Sequence, residues 1–522
     1  MRKTITTLGL ILFCISIYAQ TVSIKWGPNY EDKECTELSR CFGQNENGYY
    51  RFTHNKNELA IGKFNNQHQL AAARNYRNSA EEAGLQSGIT DDLFINNKLY
   101  NFAYNSKDKI TSFYKKSYNE DLSEESEWEQ FDKFLDINKK DLRFDNFKVA
   151  KSDDNSKFII YILKSNKVNS IACLVYDKNF NKIWDKEFEI KTSNWMNKPT
   201  CMLSNDGTFI FSVRYELPSS EKKRGNSKYN DIIYVCNKDG VENYNVAIDN
   251  HFVSSLNFIV DDASKKMTIA GFYSDKKTGF YGFDTEGYLV GYFYKKIDLS
   301  TKKIEIDVTK KIDDLAIKNE INKSTFPITE DTKNQYVDGA IELPHEKLPN
   351  KYEIKKMVKR ENGDISMICE YYRYANESRG SFDYTIYYFG PILVVNFNNV
   401  GEMIKAFYIP KVQSRKGNQI TSFLSSVNNN NLTFVYYDNE KNYGTKGYIG
   451  AELPDFPDAA ICAVTSDFDG NIIKREVIYK RSKNDKNTPY LLISNAKRIN
   501  DKRYLIEISR NKSYQYGFVT FE

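Results

Sequence analysis

Metal and nucleophilic chemistry most often needs histidine, and this chain of 522 residues has four: His54, His68, His251 and His345. They are far apart and none stands at a ligand spacing, so the sequence offers neither a zinc set nor a Ser-His-Asp arrangement. Gly444, Gly447 and Gly450 have a GxxGxxG spacing. They lack the strand-to-helix context that a dinucleotide turn requires, and read as a loop. Asp467-Phe468-Asp469-Gly470 opens like a calcium loop, but the further acidic ligands are missing. The acidic run Glu120 to Asp136 reads as a solvated charged face. Paired carboxylates for glycoside hydrolysis cannot be chosen from 69 acidic residues without geometry. No cofactor and no metal is expected.

Recognition chemistry is better represented. One segment carries Arg373-Tyr374, Arg379 and Asp383-Tyr384, and another carries Tyr448 and Asp455-Phe456-Pro457-Asp458. Aromatic rings with Arg and Asp suit a protein surface or a sugar ring, through stacking and bidentate hydrogen bonds. Arg373, Tyr374, Arg379, Asp383, Tyr384, Tyr448, Asp455 and Phe456 are therefore the candidate ligand-binding residues. The competing reading is that these aromatics only seal the ends of the sheets beneath them.

The elements that must position these residues are strands. Tyr (38) and Phe (33) are abundant, which favours an all-β chain. A short unit recurs: an apolar strand, an Asp or Asn turn closed by Gly, and another strand. It is clearest at Phe283-Asp284-Thr285-Glu286-Gly287 and returns at Cys236 to Gly240, Phe397 to Gly401 and Ser466 to Gly470. The Asp or Asn side chain bonds backbone N–H groups ahead of it, and Gly supplies the positive φ. Phe64 to His68 and Tyr176 to Phe180 are copies without the Gly.

Each repeating unit can be written as four strands, with second strands starting near Tyr49, Leu99, Phe158, Phe209, Met267, Ile365, Leu432 and Tyr504. Units of about 40–50 residues and above are the period of a β-propeller. Runs such as Phe158-Ile159-Ile160-Tyr161-Ile162-Leu163 are apolar throughout, as expected of strands covered on both faces. The expected fold is all-β, a propeller of seven or eight four-stranded antiparallel blades. Thr21 to Trp26 is a spare strand that completes the three-stranded last unit and closes the ring. Seven remains open because residues 124–129 of the second unit read equally as a short helix or as part of its fourth strand. Tandem β-sandwiches are the runner-up architecture.

Gly390-Pro391-Ile392-Leu393-Val394-Val395, followed by Ile409-Pro410-Lys411-Val412-Gln413, resembles an element of uncharacterised secreted bacterial β-propellers. The resemblance covers one blade and implies no activity. Ser204-Asn205-Asp206-Gly207-Thr208-Phe209 is similar to the Asp-box turn of sialidases but one residue short, and reads as a simple turn.

In such a ring, second-to-third loops share a face with the blade-to-blade crossovers, while first-to-second and third-to-fourth turns lie on the other. The long segments Glu216–Asn230, Arg373–Phe389 and Asp438–Ala459, with the crossover Ile297–Lys351, all fall in the first class. That face, over blades four to seven, is the expected binding face, because long loops on a rigid scaffold tend to be functional.

Residues 1–19 read as a signal peptide: basic Arg2 and Lys3, an apolar run from Leu8 to Ile17, and Ala19 at the exit. Cys14 raises a lipoprotein alternative, which Phe13 before it disfavours. Residues 20–522 are expected to form one propeller domain with an insertion at about 297–351, exported to the periplasm or cell exterior. No later run is long and apolar enough to span a bilayer. The net charge of +5 falls to +3 without Arg2 and Lys3, and the basic residues look dispersed, which gives no nucleic-acid footprint. Of seven remaining cysteines, Cys35 and Cys41 could form a local disulfide, and Cys173, Cys236, Cys369 and Cys462 read as buried hydrophobes. The function expected is non-catalytic binding of a protein or surface glycan at the cell envelope, by a monomer. The alternative is a carbohydrate hydrolase with axial carboxylates.

Overall fold

The computed structural model describes residues 21–31, 41–45, 47–55, 58–75, 80, 83–85, 93–107, 110–135, 147–165, 169–190, 200–217, 229–248, 251–275, 288–312, 351–379, 382–411, 413–416, 422–428, 430–443, 459–480, 490–491, 493, 496–500, 502–510 and 513–522. Eight antiparallel sheets follow one another, seven with their four blade strands in chain order and the last completed by the N-terminal strand. Their second strands are Gly48–Asn55, Lys98–Lys107, Lys157–Ser165, Phe209–Glu216, Lys266–Ser274, Ile365–Arg379, Asn431–Asn439 and Arg503–Arg510. All eight begin within one residue of the positions read from sequence. The chain is an eight-bladed β-propeller.

The reason these strands are apolar throughout is visible in the packing. In Lys157–Ser165, Phe158, Ile160 and Ile162 face blade two, where they meet Phe102, Tyr104 and Phe113. Ile159 and Tyr161, alternating with them, face blade four and meet Phe209 and Phe211. A strand has a period of two, so burial on both faces requires an unbroken apolar run. Separate hydrophobic clusters fill all eight blade-to-blade interfaces, including blade eight on blade one through Tyr49, Phe64, Leu505, Tyr516 and Phe518.

Closure is made by the N-terminal strand Val22–Glu31, which is the outermost strand of blade eight. It pairs antiparallel with Ser513–Phe521, Val22 opposite Phe521 and Glu31 opposite Ser513. Inside it lie Arg503–Arg510 and a broken first strand, Tyr490–Leu491 and Lys497–Asn500. The remaining uncertainty about blade two is resolved as well: residues 124–128 form no helix, and its fourth strand is Glu129–Leu135.

The Asp and Asn turns join third to fourth strands. Asp177, Asp467, Asn398, Asn65 and Asn237 each accept backbone N–H bonds with Oδ1, for example Asp467 from Asp469 (2.9 Å) and Asn471 (2.8 Å). Gly401 (φ 83°) and Gly470 (φ 86°) supply the left-handed residue, and where Gly is missing His68 (φ 62°) and Phe180 (φ 66°) adopt it instead.

Blade five departs from the sequence reading. Its turn is Asp298 to Lys302, with Asp298 Oδ1 accepting from Ser300 and Thr301, and Lys302 (φ 61°) left-handed. Its fourth strand is Lys303–Lys311, so the crossover to blade six starts at residue 312 and not at Ile297. The 283–287 motif lies outside the described residues, in the segment between the second and third strands of blade five.

Cys173, Cys236, Cys369 and Cys462 are buried free thiols, and burial pushes the Cys173, Cys236 and Cys369 thiols up. Cys201 is also free but only half-buried, with Tyr161 Oη 3.1 Å from its Sγ. Residues 1–20, Cys35 and the Cys41 side chain lie outside the described residues. Among the described residues no helix is long and apolar enough to cross a membrane.

Candidate functional site

Blade six carries the largest departure from a regular blade. The segment Arg373–Phe389, expected as a loop, is a continuation of the second and third strands. Ile365–Arg379 and Phe382–Phe397 stay paired from Ile365 opposite Phe397 out to Arg379 opposite Phe382. The loop reading has a clear reason: Arg373 to Arg379 is largely polar and lacks the unbroken apolar run of the blade proper. Arg373, Tyr374, Arg379, Asp383 and Tyr384 thus share one hairpin arm. By register, Arg373, Arg379 and Tyr384 belong to one face of it, Tyr374 and Asp383 to the other. Tyr448, Asp455 and Phe456 lie outside the described residues.

The arm is anchored at its root. A register shift falls between Glu370 and Tyr372, beside Gly390, where a Cβ would lie 2.9 Å from the Tyr371 ring. The crossover strand Gln413–Lys416 pairs with Phe389 to Ile386 as a third strand. Tyr372 packs on Phe389 (5.0 Å between centroids) and Tyr387 (6.4 Å).

Beneath this lies a buried polar network. Lys411 Nζ donates to Glu370 Oε1 at 2.5 Å, both side chains fully buried, and Ser422 Oγ donates to Glu370 Oε2 at 2.7 Å. Gln413 Oε1 accepts from Ser422 N (2.9 Å) and Lys411 (3.2 Å), while its Nε2 donates to the Tyr437 carbonyl (2.9 Å) in blade seven. Burial pulls the Lys411 ammonium down against the upward pull of Glu370. A buried charge removed from water is tolerated only when so paired. The network ties arm, crossover and blade seven together. Sequence reasoning quoted Ile409 to Gln413 without seeing this; the signal was Lys411 and Gln413 flanking Val412 just after Pro410.

The strand ends joined by residues 218–228, 276–287 and 444–458, and by the crossover 313–350, lie on the same face as the arm. The corresponding second-to-third connections of blades one, two, three and eight are residues 56–57, 108–109, 166–168 and 511–512. The long second-to-third connections are therefore those of blades four, five and seven, with the arm on blade six; the crossover of residues 76–92 between blades one and two is long as well.

On the opposite face, near the axis, Asp154, Asp206 and Asp262 sit in the first-to-second turns of blades three to five. The turn at Ser204 resembles its neighbour at Ser152: Ser204 Oγ donates to Asp206 Oδ1 (2.6 Å), which also accepts from Thr208 N (2.9 Å). Asp154 does the same with Ser152 and Ser156. These hydrogen bonds hold the Asp154 and Asp206 carboxyls low although burial opposes it. Asp262, accepting from Asn205 N (3.0 Å), is raised by burial and then by Asp206, Asp153 and Asp154.

Among the described residues no group of three His, Cys, Asp or Glu is placed to hold a metal ion. His251 packs edge-on against Tyr273 (4.9 Å), and His68 is buried in the blade-one turn; His345 lies outside the described residues. The acidic stretch after Glu120 is matched by cations: Lys63 with Glu120, Arg74 and Lys116 with Glu124, Lys98 with Glu125, and Lys115 with Glu129.

No sequence-family model matches the chain, and no curated protein does. Among solved structures it is similar to the WD40 domain of SCAP from fission yeast, at 8% identity and a TM-score of 0.40, covering 95% of this chain and 98% of that one. It is also similar to a polysaccharide lyase, an ulvan lyase, at 10% identity and a TM-score of 0.36, covering 96% of each. A third is the acylaminoacyl peptidase of Pyrococcus horikoshii, at 11% identity and a TM-score of 0.31, covering 92% of this chain and 59% of that one.

Proposed function

We propose that this propeller is an exported binding protein whose partner, a protein or surface glycan of the cell envelope, docks on the face carrying the blade-six arm. The observation that supports this reading most is the arm itself. It is a hairpin that continues past its blade, with a third strand at its base and a buried Glu370–Lys411 pair beneath it. Rigid display of polar and aromatic residues lowers the ordering cost of binding. Arg379 and Phe456 are the anchors expected to matter most, since Arg and aromatic side chains dominate interface hot spots.

The test is capture from envelope extract by three proteins: wild type, Arg379→Ala with Phe456→Ala, and a variant with residues 374–387 replaced by a two-residue turn. Loss of the same partner by both variants, at an unchanged melting temperature, supports the proposal. Equal recovery by all three removes it.

A second reading, hydrolysis of carbohydrate by axial carboxylates, draws on Asp262, whose raised carboxyl beside the lowered Asp206 has the asymmetry of an acid–base pair. Unchanged turnover of acidic and neutral glycans by Asp262→Asn would dismiss it.

A further inference from the structure

Between blades five and six, on the face away from the arm, lies a cavity of about 180 Å³. It is smaller than drug-sized sites of about 300–1,000 Å³, and holds about six waters at about 30 Å³ each. Ile259, Thr268 and Lys296, opposite one another on the first three strands of blade five, line one side. Asn399, in the third-to-fourth turn of blade six, lines the other. Two more lysines of the lining are matched by acids: Lys266 by Asp298 (2.9 Å) and Glu305, and Lys359 by Asp261, which also accepts from Ser264 Oγ. Lys296 is the exception. It is half-buried on the strand Leu289–Asp298, and among the described residues its ammonium has no carboxylate and no hydrogen-bond acceptor. Withdrawing an ammonium from water without a partner costs free energy.

The repeat shows what such a lysine takes elsewhere. At two other seams, the residue two before the turn Asp or Asn of one blade meets the residue just after the turn Asp or Asn of the next. Lys63 stands two before Asn65 in blade one, and Glu120 follows Asn119 in blade two. Lys63 Nζ lies 3.3 Å from Glu120 Oε2, and Asn47 Nδ2 donates to the same oxygen (3.0 Å). Asn396 and Phe468 hold the same two positions in blades six and seven, and the Asn396 amide donates to the Phe468 carbonyl. In blades five and six the two positions are Lys296, two before Asp298, and Asn399, just after Asn398. The turns correspond bond for bond: Asn119 N donates to Ser123 O and Leu122 N to Asn119 O, as Asn398 N does to Glu402 O and Gly401 N to Asn398 O. The seam of blades five and six therefore repeats the lysine of the first seam without its acid. A second exchange leaves the space. The residue paired with Lys63 is Tyr50, whose ring packs on Phe94 of blade two (5.2 Å), whereas the residue paired with Lys296 is Thr268.

We infer that this cavity binds a small carboxylic acid, whose carboxylate takes beside Lys296 the place that Glu120 takes beside Lys63. A charge-assisted hydrogen bond from the ammonium supplies most of the attraction. Asn399 brings an amide donor to the same cavity, the role that Asn47 has for Glu120. Asp261 does not compete for Lys296, because Lys359 and Ser264 already hold its carboxylate. The site draws on none of the arm residues and lies on the other face.

The experiment is saturation-transfer NMR and calorimetric titration of the full chain with lactate and glucuronate as probes. Lactamide and glucose are the neutral controls, with sodium chloride matching the ionic strength. Lys296→Gln removes the ammonium. Asn399→Glu, at an exposed turn position, supplies the carboxylate from within the chain, as blade two does for blade one. Binding of lactate or glucuronate, weakened about tenfold or more in both variants, supports the site, and Asn399→Glu should keep or raise the melting temperature. Tighter binding of glucuronate identifies a sugar acid, and tighter binding of lactate a short-chain acid. Three results overturn the inference: no binding of either acid at about 20 mM, equal binding by either variant, or neutral controls that bind as well as the acids. A thermal melt checks Lys296→Gln, and Asn399→Glu decides alone if that variant does not fold. The arm-truncated variant should bind the acids unchanged, so the two proposals fail separately.

Discussion

His68 makes the seam between blades one and eight sensitive to acid. Its imidazole is 2% exposed, with Nδ1 3.0 Å from Tyr49 Oη and its ring 4.3 Å from Phe518 of blade eight. Gly27 of the closing strand lies so near that a Cβ there would fall 2.2 Å from the His68 Cβ. Burial, then Arg503 and Arg51, lower this histidine from 6.5 to about 4. The neutral form is thus the folded form, while the unfolded chain takes up a proton near 6.5. The folded state binds fewer protons between these values, so stability is fully present above pH 6.5 and is lost as pH falls towards 4. At 1.36 kcal/mol per pH decade the ceiling is about 3 kcal/mol, of which about 2 kcal/mol is gone by about pH 5. The assay is denaturant unfolding of wild type and His68→Gln at about pH 7.5 and 5, with the imidazole C2–H resonances followed by NMR. Wild type should lose about 2 kcal/mol more than the variant between the two conditions. A His68 that titrates near 6.5, or equal losses in both proteins, refutes the reasoning.

Three further outcomes are expected. Deleting residues 21–31 strips blade eight of its outer strand and exposes the Ser513–Phe521 edge, so the protein should aggregate on size exclusion; a monomer with an unchanged melting temperature would remove the closing role. Lys411→Met leaves Glu370 buried without its main partner and should cost about 3–5 kcal/mol in denaturant unfolding. Adding Glu370→Leu should recover most of that loss, and a double variant no better than the single one contradicts the pairing. Gly470→Ala forces a left-handed alanine whose Cβ would lie 2.6 Å from the Phe407 ring. It should lower stability by roughly 1–3 kcal/mol, measured by thermal unfolding, and an unchanged melting temperature would show that the turn relaxes freely.

The ring was legible because its physics is local and repeated. Two-sided burial writes an unbroken apolar run into each second strand, as in Phe158 to Leu163, and the Asx turns write Asp or Asn at a fixed distance from the left-handed residue. Where that residue is not Gly, the signal fades. Phe180 and His68 were found only as loose copies, and Lys302 was missed, which shifted the end of blade five and lengthened the apparent crossover. The arm was misread for the complementary reason. Beyond Tyr372 the sequence from Arg373 to Arg379 turns polar although the pairing continues.

The sites behave differently from the scaffold because a propeller builds them from distant parts of the chain. Lys296 belongs to blade five and Asn399 to blade six, and the packing of the two blades alone sets them on one cavity. Read along the chain, each is an ordinary polar residue beside a turn; read around the ring, the two hold the positions at which Lys63 meets Glu120. The Glu370–Lys411 pair follows the same logic at shorter range, since a crossover residue completes a strand residue 41 positions earlier.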